Sequence, residues 1–135
     1  QQFAWNFRYP GPDAEFGTAD DFALPNLIVA QDTPTILTMR SIDVIHSLFI
    51  PHCRFKQDIV PGLTMQGWIQ PRESGIWPVA CAELCGAQHY TMSAEMTVIP
   101  LEEWDAKHRA FSDDPNNKID YKSEQQNFRF WKIQK

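Results

Sequence analysis

Apolar and polar positions alternate in short runs along most of this chain: FAWNFRY at 3–9, NLIVA at 26–30, TILTMR at 35–40, VIHSLFI at 44–50, TMQGWIQ at 64–70, GIWPVACA at 75–82 and SAEMTVI at 93–99. Runs of this length, rich in β-branched and aromatic residues, predict strands. Turn formers separate them, with Pro10-Gly11-Pro12, Pro25-Asn26, Asp32 to Pro34, Pro61-Gly62 and Ser74-Gly75 placed where the backbone must reverse. No helical period of ten or more residues falls between the strands, which argues against a parallel α/β fold. Many short strands joined by turns predict an all-β sandwich or barrel over residues 1–100.

After Pro100 the pattern changes. Leu101 to Phe111 reads as a helix, with Pro100 at its start, acids in the first turn and bases near the end, as the helix dipole prefers. Leu101, Trp104, His108 and Phe111 share one face that can dock on the β core. The expected organisation is therefore one β domain, 1–100, followed by a short helix and a tail, 101–135, that pack on it or on a partner. Ser112 to Lys118 is a polar loop, and the terminal NFRFWKIQK suits either a strand or an interaction arm.

Composition narrows the class. At 135 residues, 43% hydrophobic and 21% charged, the chain has the makeup of one folded domain and not of a disordered one. The net charge of -5 argues against nucleic acid as a partner and mildly favours a cationic one. No run approaches the roughly 20 apolar residues of a spanning helix, so the chain as given is expected to be soluble. It starts at Gln1 instead of Met, consistent with removal of an initiator, a signal or a longer N-terminal region. Three cysteines, an odd number, disfavour a fully disulfide-bonded framework.

The candidate chemistry lies in CAELCGAQHYTM, residues 81–92. A Cys81–Cys85 disulfide is one reading, but it leaves His89 and Met92 in the same segment unexplained. Four soft-to-borderline donors so close together point to a metal. Zinc has little use for a thioether, and its cysteines usually stand two or three residues apart, so Met92 shifts the choice towards copper. Mononuclear blue copper uses one thiolate, whereas this run offers two, and a second can bridge two copper ions. Such a pair needs another nitrogen ligand from elsewhere. His46 sits inside an apolar run where a lone imidazole needs a partner; His52 beside Pro51 is a further candidate, and His108 on the helix reads more simply as a surface or docking residue.

Asp43-Val44-Ile45-His46-Ser47, then Phe55 to Gly62, then CAELCGAQHYTM, closely resemble the dinuclear copper (CuA) domain of cytochrome c oxidase subunit II, over a stretch from about Phe3 to Trp104. The resemblance implies a cupredoxin-like Greek-key β-barrel or sandwich with the site in loops at one end. It implies that Cys81 and Cys85 bridge two copper ions, that His46 and His89 each give one ring nitrogen, that Met92 is a weak ligand to one copper and that the Glu83 carbonyl completes the other. The Glu83 carboxylate would face the catalytic subunit and help hold a magnesium ion. The implied function is electron transfer from a cytochrome c-like donor to the haem of the catalytic haem-copper oxidase subunit I. A membrane hairpin would precede Gln1 or come from the rest of the complex, and the location would be the periplasmic face of a bacterial inner membrane or the intermembrane-space face of a mitochondrial one.

The relatives with the same copper centre, the nitrous oxide reductases, carry Trp where Glu83 stands; a non-redox copper or zinc module is the other competing class. The chain also departs from the usual family pattern. The first tryptophan of the family's tryptophan-tyrosine-tryptophan, tied to electron input, is matched by Phe3, and Trp5 matches the second; Leu63 replaces a common Arg. Cys53 has no role in the pattern and reads as a small buried hydrophobe. Asp13, Glu15, Asp20 and Asp21 read as a solvated loop or as a docking surface for a basic cytochrome. The residues given contain no Cys-x-x-Cys-His, the attachment motif of a c-type haem.

Overall fold

Nine strands and one α-helix carry the chain in a computed structural model that describes residues 1–121. The strands are β1 (Phe7–Tyr9), β2 (Phe22–Leu24), β3 (Leu27–Ala30), β4 (Thr35–Met39), β5 (His46–Ile50), β6 (Phe55–Ile59), β7 (Met65–Ile69), β8 (Gly75–Cys81) and β9 (Ser93–Ile99). A five-stranded sheet runs β3-β9-β8-β5-β6, and two ribbons, β4-β7 and β1-β2, complete the sandwich. All pairs are antiparallel except β3 with β9, where Leu27 stands beside Met96 and Ala30 beside Ile99. This is the expected all-β, cupredoxin-like architecture.

Alternation along the strands decides what is inside. In β4, β6 and β7 side chains switch between half-buried and exposed and end on a buried Met39, Ile59 and Ile69. Those residues close on Leu27, Val29, Leu48, Ile50, Val79, Met96 and Val98, so one continuous core lies between the sheet and the β4-β7 ribbon. Burial of this apolar surface is what the alternating pattern encodes. Pro78 sits inside a strand with neighbours on both sides, a position that normally rejects proline. It is tolerated because the β5–β8 ladder contains only Leu48↔Cys81 and Phe49↔Ala80, so β5 has left by the level of Pro78.

The helix α1 runs Leu101–Asp113, with Pro100 immediately before it and Glu102 and Glu103 in its first turn. Its His108 meets Phe22 edge-on at 5.2 Å and Phe111 stacks on the same ring, so this histidine packs and is no ligand. Leu101, expected on the docking face, is exposed. Two strands escaped the sequence reading: β2 is three residues long, and β6 lies in a charged run, FKQDI. No helix among the described residues is long and apolar enough to cross a membrane. The terminal NFRFWKIQK lies outside the described residues.

The acidic loop is more organised than a solvated surface. Asp21 is buried and accepts from the Gly17 N–H at 2.7 Å, from the Thr18 hydroxyl at 3.2 Å and from the Tyr121 hydroxyl. Asp20 accepts from Thr18 at 2.6 Å, and Glu15 remains exposed. Asp21 is thus a structural acceptor, unavailable for docking.

Candidate metal centre

Two strand ends and one loop meet at one pole of the sandwich. His46 opens β5 and Cys81 closes β8, and because Leu48 pairs with Cys81, period-two alternation puts His46, Leu48 and Cys81 on the same inward face. Residues 82–92 then leave the sheet and return. The Cys81 N–H donates to the Met92 carbonyl at 3.2 Å, so the loop closes at its base, and the Ala82 N–H donates to the Ser47 carbonyl at 3.0 Å, pinning it to β5. A short 3-10 turn, His89–Thr91, is held by His89 N–H to Gly86 carbonyl at 3.0 Å and Met92 N–H to His89 carbonyl at 3.1 Å. That turn swings His89 and Met92 back towards the cysteines.

The donors converge. Cys81 Sγ and Cys85 Sγ are 3.9 Å apart, Cys81 Sγ is 3.9 Å from His46 Nδ1, and Cys85 Sγ is 3.4 Å from His89 Nδ1 and 3.8 Å from Met92 Sδ. The Glu83 carbonyl oxygen lies 3.2 Å from Cys81 Sγ. Both thiols are free, so the disulfide reading does not hold here. His46, Cys81, Cys85 and Met92 are all buried, while His89 and Glu83 are half-buried. Phe3 and Trp5 pack against the sulfur cluster, and Trp5 meets the His46 ring at 6.3 Å.

Asp43 orders the histidine. Its Oδ1 accepts from His46 Nε2 at 2.8 Å and from the Val44 N–H at 2.7 Å, and its Oδ2 accepts from the Gln2 N–H at 2.6 Å. A carboxylate on Nε2 fixes the proton there and leaves the Nδ1 lone pair facing the sulfurs, as a metal-binding imidazole requires. Partial burial works to raise the Asp43 pKa, but the three donors outweigh it and hold the group well below the ordinary carboxylate range. Burial, then the neighbouring Cys81, push the Cys85 thiol up, the expected cost of placing two thiols side by side without a cation.

This donor set fits a thiophilic metal. Two sulfurs 3.9 Å apart are closer than twice a metal–sulfur bond of about 2.3 Å, so both can reach a shared ion. His46, Cys81 and Cys85 place their donor atoms within 4.8 Å of one another. His89 approaches the same sulfur pair through Cys85 but is not part of that close trio.

The other candidates lie elsewhere. His52 stacks on Trp77 at 3.6 Å, beyond the far end of β5 from His46, and serves packing. Cys53 is half-buried against the main core, with burial raising its pKa, and behaves as the small hydrophobe expected. Sequence pattern alone gives no role to Gln2 or to the Asp43 side chain. For Asp43 the available signal was a carboxylate three residues before a ligand histidine, since such histidines need an acceptor for their second nitrogen.

Residues 2–99 match the family described as cytochrome C oxidase subunit II, periplasmic domain. Among curated proteins the chain is similar to the alternative cytochrome c oxidase subunit 2 of Bradyrhizobium diazoefficiens, at 36% identity over 73% of this chain and 44% of that protein. It is also similar to cytochrome c oxidase subunit 2 of Synechocystis sp., at 38% identity over 77% of this chain and 29% of that one. The chain thus spans less than half the length of either relative. Among solved structures, the periplasmic domain of subunit II of cytochrome oxidase from Bradyrhizobium japonicum superposes with a TM-score of 0.70 at 22% identity, covering 82% of this chain and 86% of that one. A second solved structure, a mixed-disulfide intermediate between a thioredoxin-like protein and subunit II of cytochrome c oxidase, superposes with a TM-score of 0.67 at 20% identity, covering 82% and 84%.

Proposed function

The chain belongs to the family of the cytochrome c oxidase subunit II periplasmic domain, and from that premise we propose that it holds two copper ions and relays single electrons from a cytochrome c-like donor to the haem of a catalytic haem-copper oxidase subunit I. The observation that carries this reading is the free thiol pair, 3.9 Å apart, with one imidazole beside each sulfur. A single tetrahedral ion would draw all four donors into one cluster. Here each sulfur has its own imidazole, His46 beside Cys81 and His89 beside Cys85, an arrangement that suits two metals held by the sulfur pair.

Copper bound in this way supplies reversible one-electron chemistry with the charge spread over two metals and two sulfurs. The residues do the rest. Cys81 and Cys85 would hold both copper ions, His46 Nδ1 and His89 Nδ1 would supply one nitrogen donor each, and Met92 Sδ and the Glu83 carbonyl would serve as weak donors. Asp43 holds the proton on His46 Nε2. The strand ends and their hydrogen bonds to the loop fix these donors before metal arrives, which limits rearrangement when the charge changes. Burial of both thiols limits the access of water to the sulfurs.

Exposed Leu84, Tyr90, Ile42, Ile45 and Leu63 belong to the loops at this pole, an apolar rim on which a donor or the catalytic subunit docks. Phe3, against the sulfurs, is positioned for electron input with Trp5 behind it. The Glu83 carboxylate would help hold a magnesium ion between this domain and the catalytic subunit. A membrane-anchored complex would hold the domain at the periplasmic face, where its two cysteines need a reductant before metal can bind. A thioredoxin-like protein, of the kind captured with the solved relative, suits that step.

Cys81→Ser and Cys85→Ser test the bridge. Each is expected to abolish the shared-valence absorption of the copper-loaded protein and to lower its copper content from two towards one. Survival of that absorption in either variant would overturn bridging and return the chain to the mononuclear or zinc-binding classes.

A further inference from the structure

The N-terminal segment ties together the two halves of the centre. The Gln2 backbone N–H donates to Asp43 Oδ2 at 2.6 Å, and the Gln2 side-chain amide donates to the Cys85 carbonyl at 2.5 Å. Those acceptors sit on different ligand-bearing segments. Asp43 holds His46 at the start of β5, whereas Cys85 lies in the loop between β8 and β9. Next to Gln2, Phe3 covers the sulfur cluster, and Trp5 packs beside it.

The loop is shaped to receive this segment. Gly86 has φ +136°, where side chains are strained, and a Cβ there would lie 2.8 Å from the Gln2 amide nitrogen and 3.0 Å from the Phe3 ring. The backbone φ favours glycine at this position, and its bare Cα leaves room for the Gln2 amide and the Phe3 ring to lie against the cysteine loop. Under the closed segment Cys81 and Cys85 are 8% and 4% exposed.

We propose that residues 2–5 form a latch over the two thiols, with Gln2 as the positioning residue that joins the His46 arm to the cysteine loop and must release before a bulky metal donor or thiol reagent reaches the sulfurs. This deepens the copper reading, on which it rests only for the loaded state; the latch acts equally on the metal-free thiols. Gln2 is itself exposed and contributes nothing to the main core, so its replacement leaves the sandwich intact.

The test uses this chain in a Cys53→Ser background, metal-free and reduced, with modification of Cys81 and Cys85 followed by mass spectrometry. Two probes are compared, small methyl methanethiosulfonate and bulky fluorescein maleimide. Gln2→Ala removes the amide donor, and Gln2→Glu replaces it with a group of equal size that cannot donate when ionised. Both are expected to speed the bulky probe by about fivefold relative to the small one, the population shift that follows from losing one net hydrogen bond. Equal acceleration of both probes would report altered thiol ionisation and overturn the latch, as would bulky-probe rates unchanged from the parent. If the parent fails to take up a copper pair, the copper reading falls while the metal-free comparison still decides the latch.

Discussion

Removing the Asp43 carboxylate isolates the contribution of a residue that touches no metal. The group accepts from Gln2, Val44 and His46, and the histidine is the partner that matters because its side chain is 2% exposed against 27% for Asp43. In Asp43→Ala, water can replace the carboxylate for Gln2 and Val44, whereas His46 Nε2–H is left facing a buried site without an acceptor. An orphaned buried donor costs about 1–3 kcal/mol. The imidazole recovers this by rotating or by moving its proton to Nδ1, and either change removes the lone pair that faces the sulfurs. Loss of such a supporting partner typically lowers metal affinity about 10- to 100-fold, the same range expressed as binding. Asp43→Asn keeps an acceptor oxygen but not the charge and is expected to fall between the parent and Asp43→Ala. Copper affinity is measured by competition with a chelator, beside urea unfolding of the metal-free variants. Affinities of both variants within twofold of the parent would refute the argument that Asp43 orients His46.

Met92→Leu preserves volume in a buried position but removes the thioether 3.8 Å from Cys85 Sγ, so the redox potential should shift while the copper count, read by elemental analysis, stays at the parent's value. Gly67→Ala places a Cβ 2.6 Å from the Phe55 ring and should destabilise by about 1–3 kcal/mol in urea unfolding; an unchanged midpoint would mean the ring moves freely. Alkaline pH should unfold the metal-free protein through its half-buried phenols. Burial raises the Tyr9 pKa, and burial with Asp21 beside it pushes Tyr121 up to about 12, so the native state favours the neutral forms. That contribution is complete below the unfolded tyrosine value of about 10 and is lost as pH rises through the folded values. The urea midpoint should therefore begin to fall above about pH 10, and Tyr121→Phe should flatten part of the decline.

The strands that the sequence made legible are those whose alternation is driven by a buried face: β3, β4, β5, β7, β8 and β9 each place apolar residues inward at period two. β6 was hidden because its outward positions are charged, Lys56 and Asp58, and its inward ones include Gln57, so pairing with β5 and not hydrophobicity makes it a strand. The metal ligands were legible because Cys81, Cys85, His89 and Met92 occupy one loop, and His46 was the histidine that an apolar run could not otherwise explain. Gln2 was invisible for the opposite reason. Its contacts join positions more than forty residues apart through one backbone N–H and one amide, and a sequence carries no pattern for such a bond. Asp21 misled because acids in a Gly- and Pro-rich loop usually face water, and only the folded loop turns its own donors inward on that carboxylate.

The central claim is that the Cys81–Cys85 pair holds two coppers sharing one unpaired electron. Electron paramagnetic resonance of the copper-loaded, partly oxidised protein, with copper and zinc quantified on the same sample, tests it most directly. Hyperfine splitting from two equivalent copper nuclei at two coppers per chain is the predicted result. A single-copper pattern, or a silent protein occupied by zinc, would contradict it.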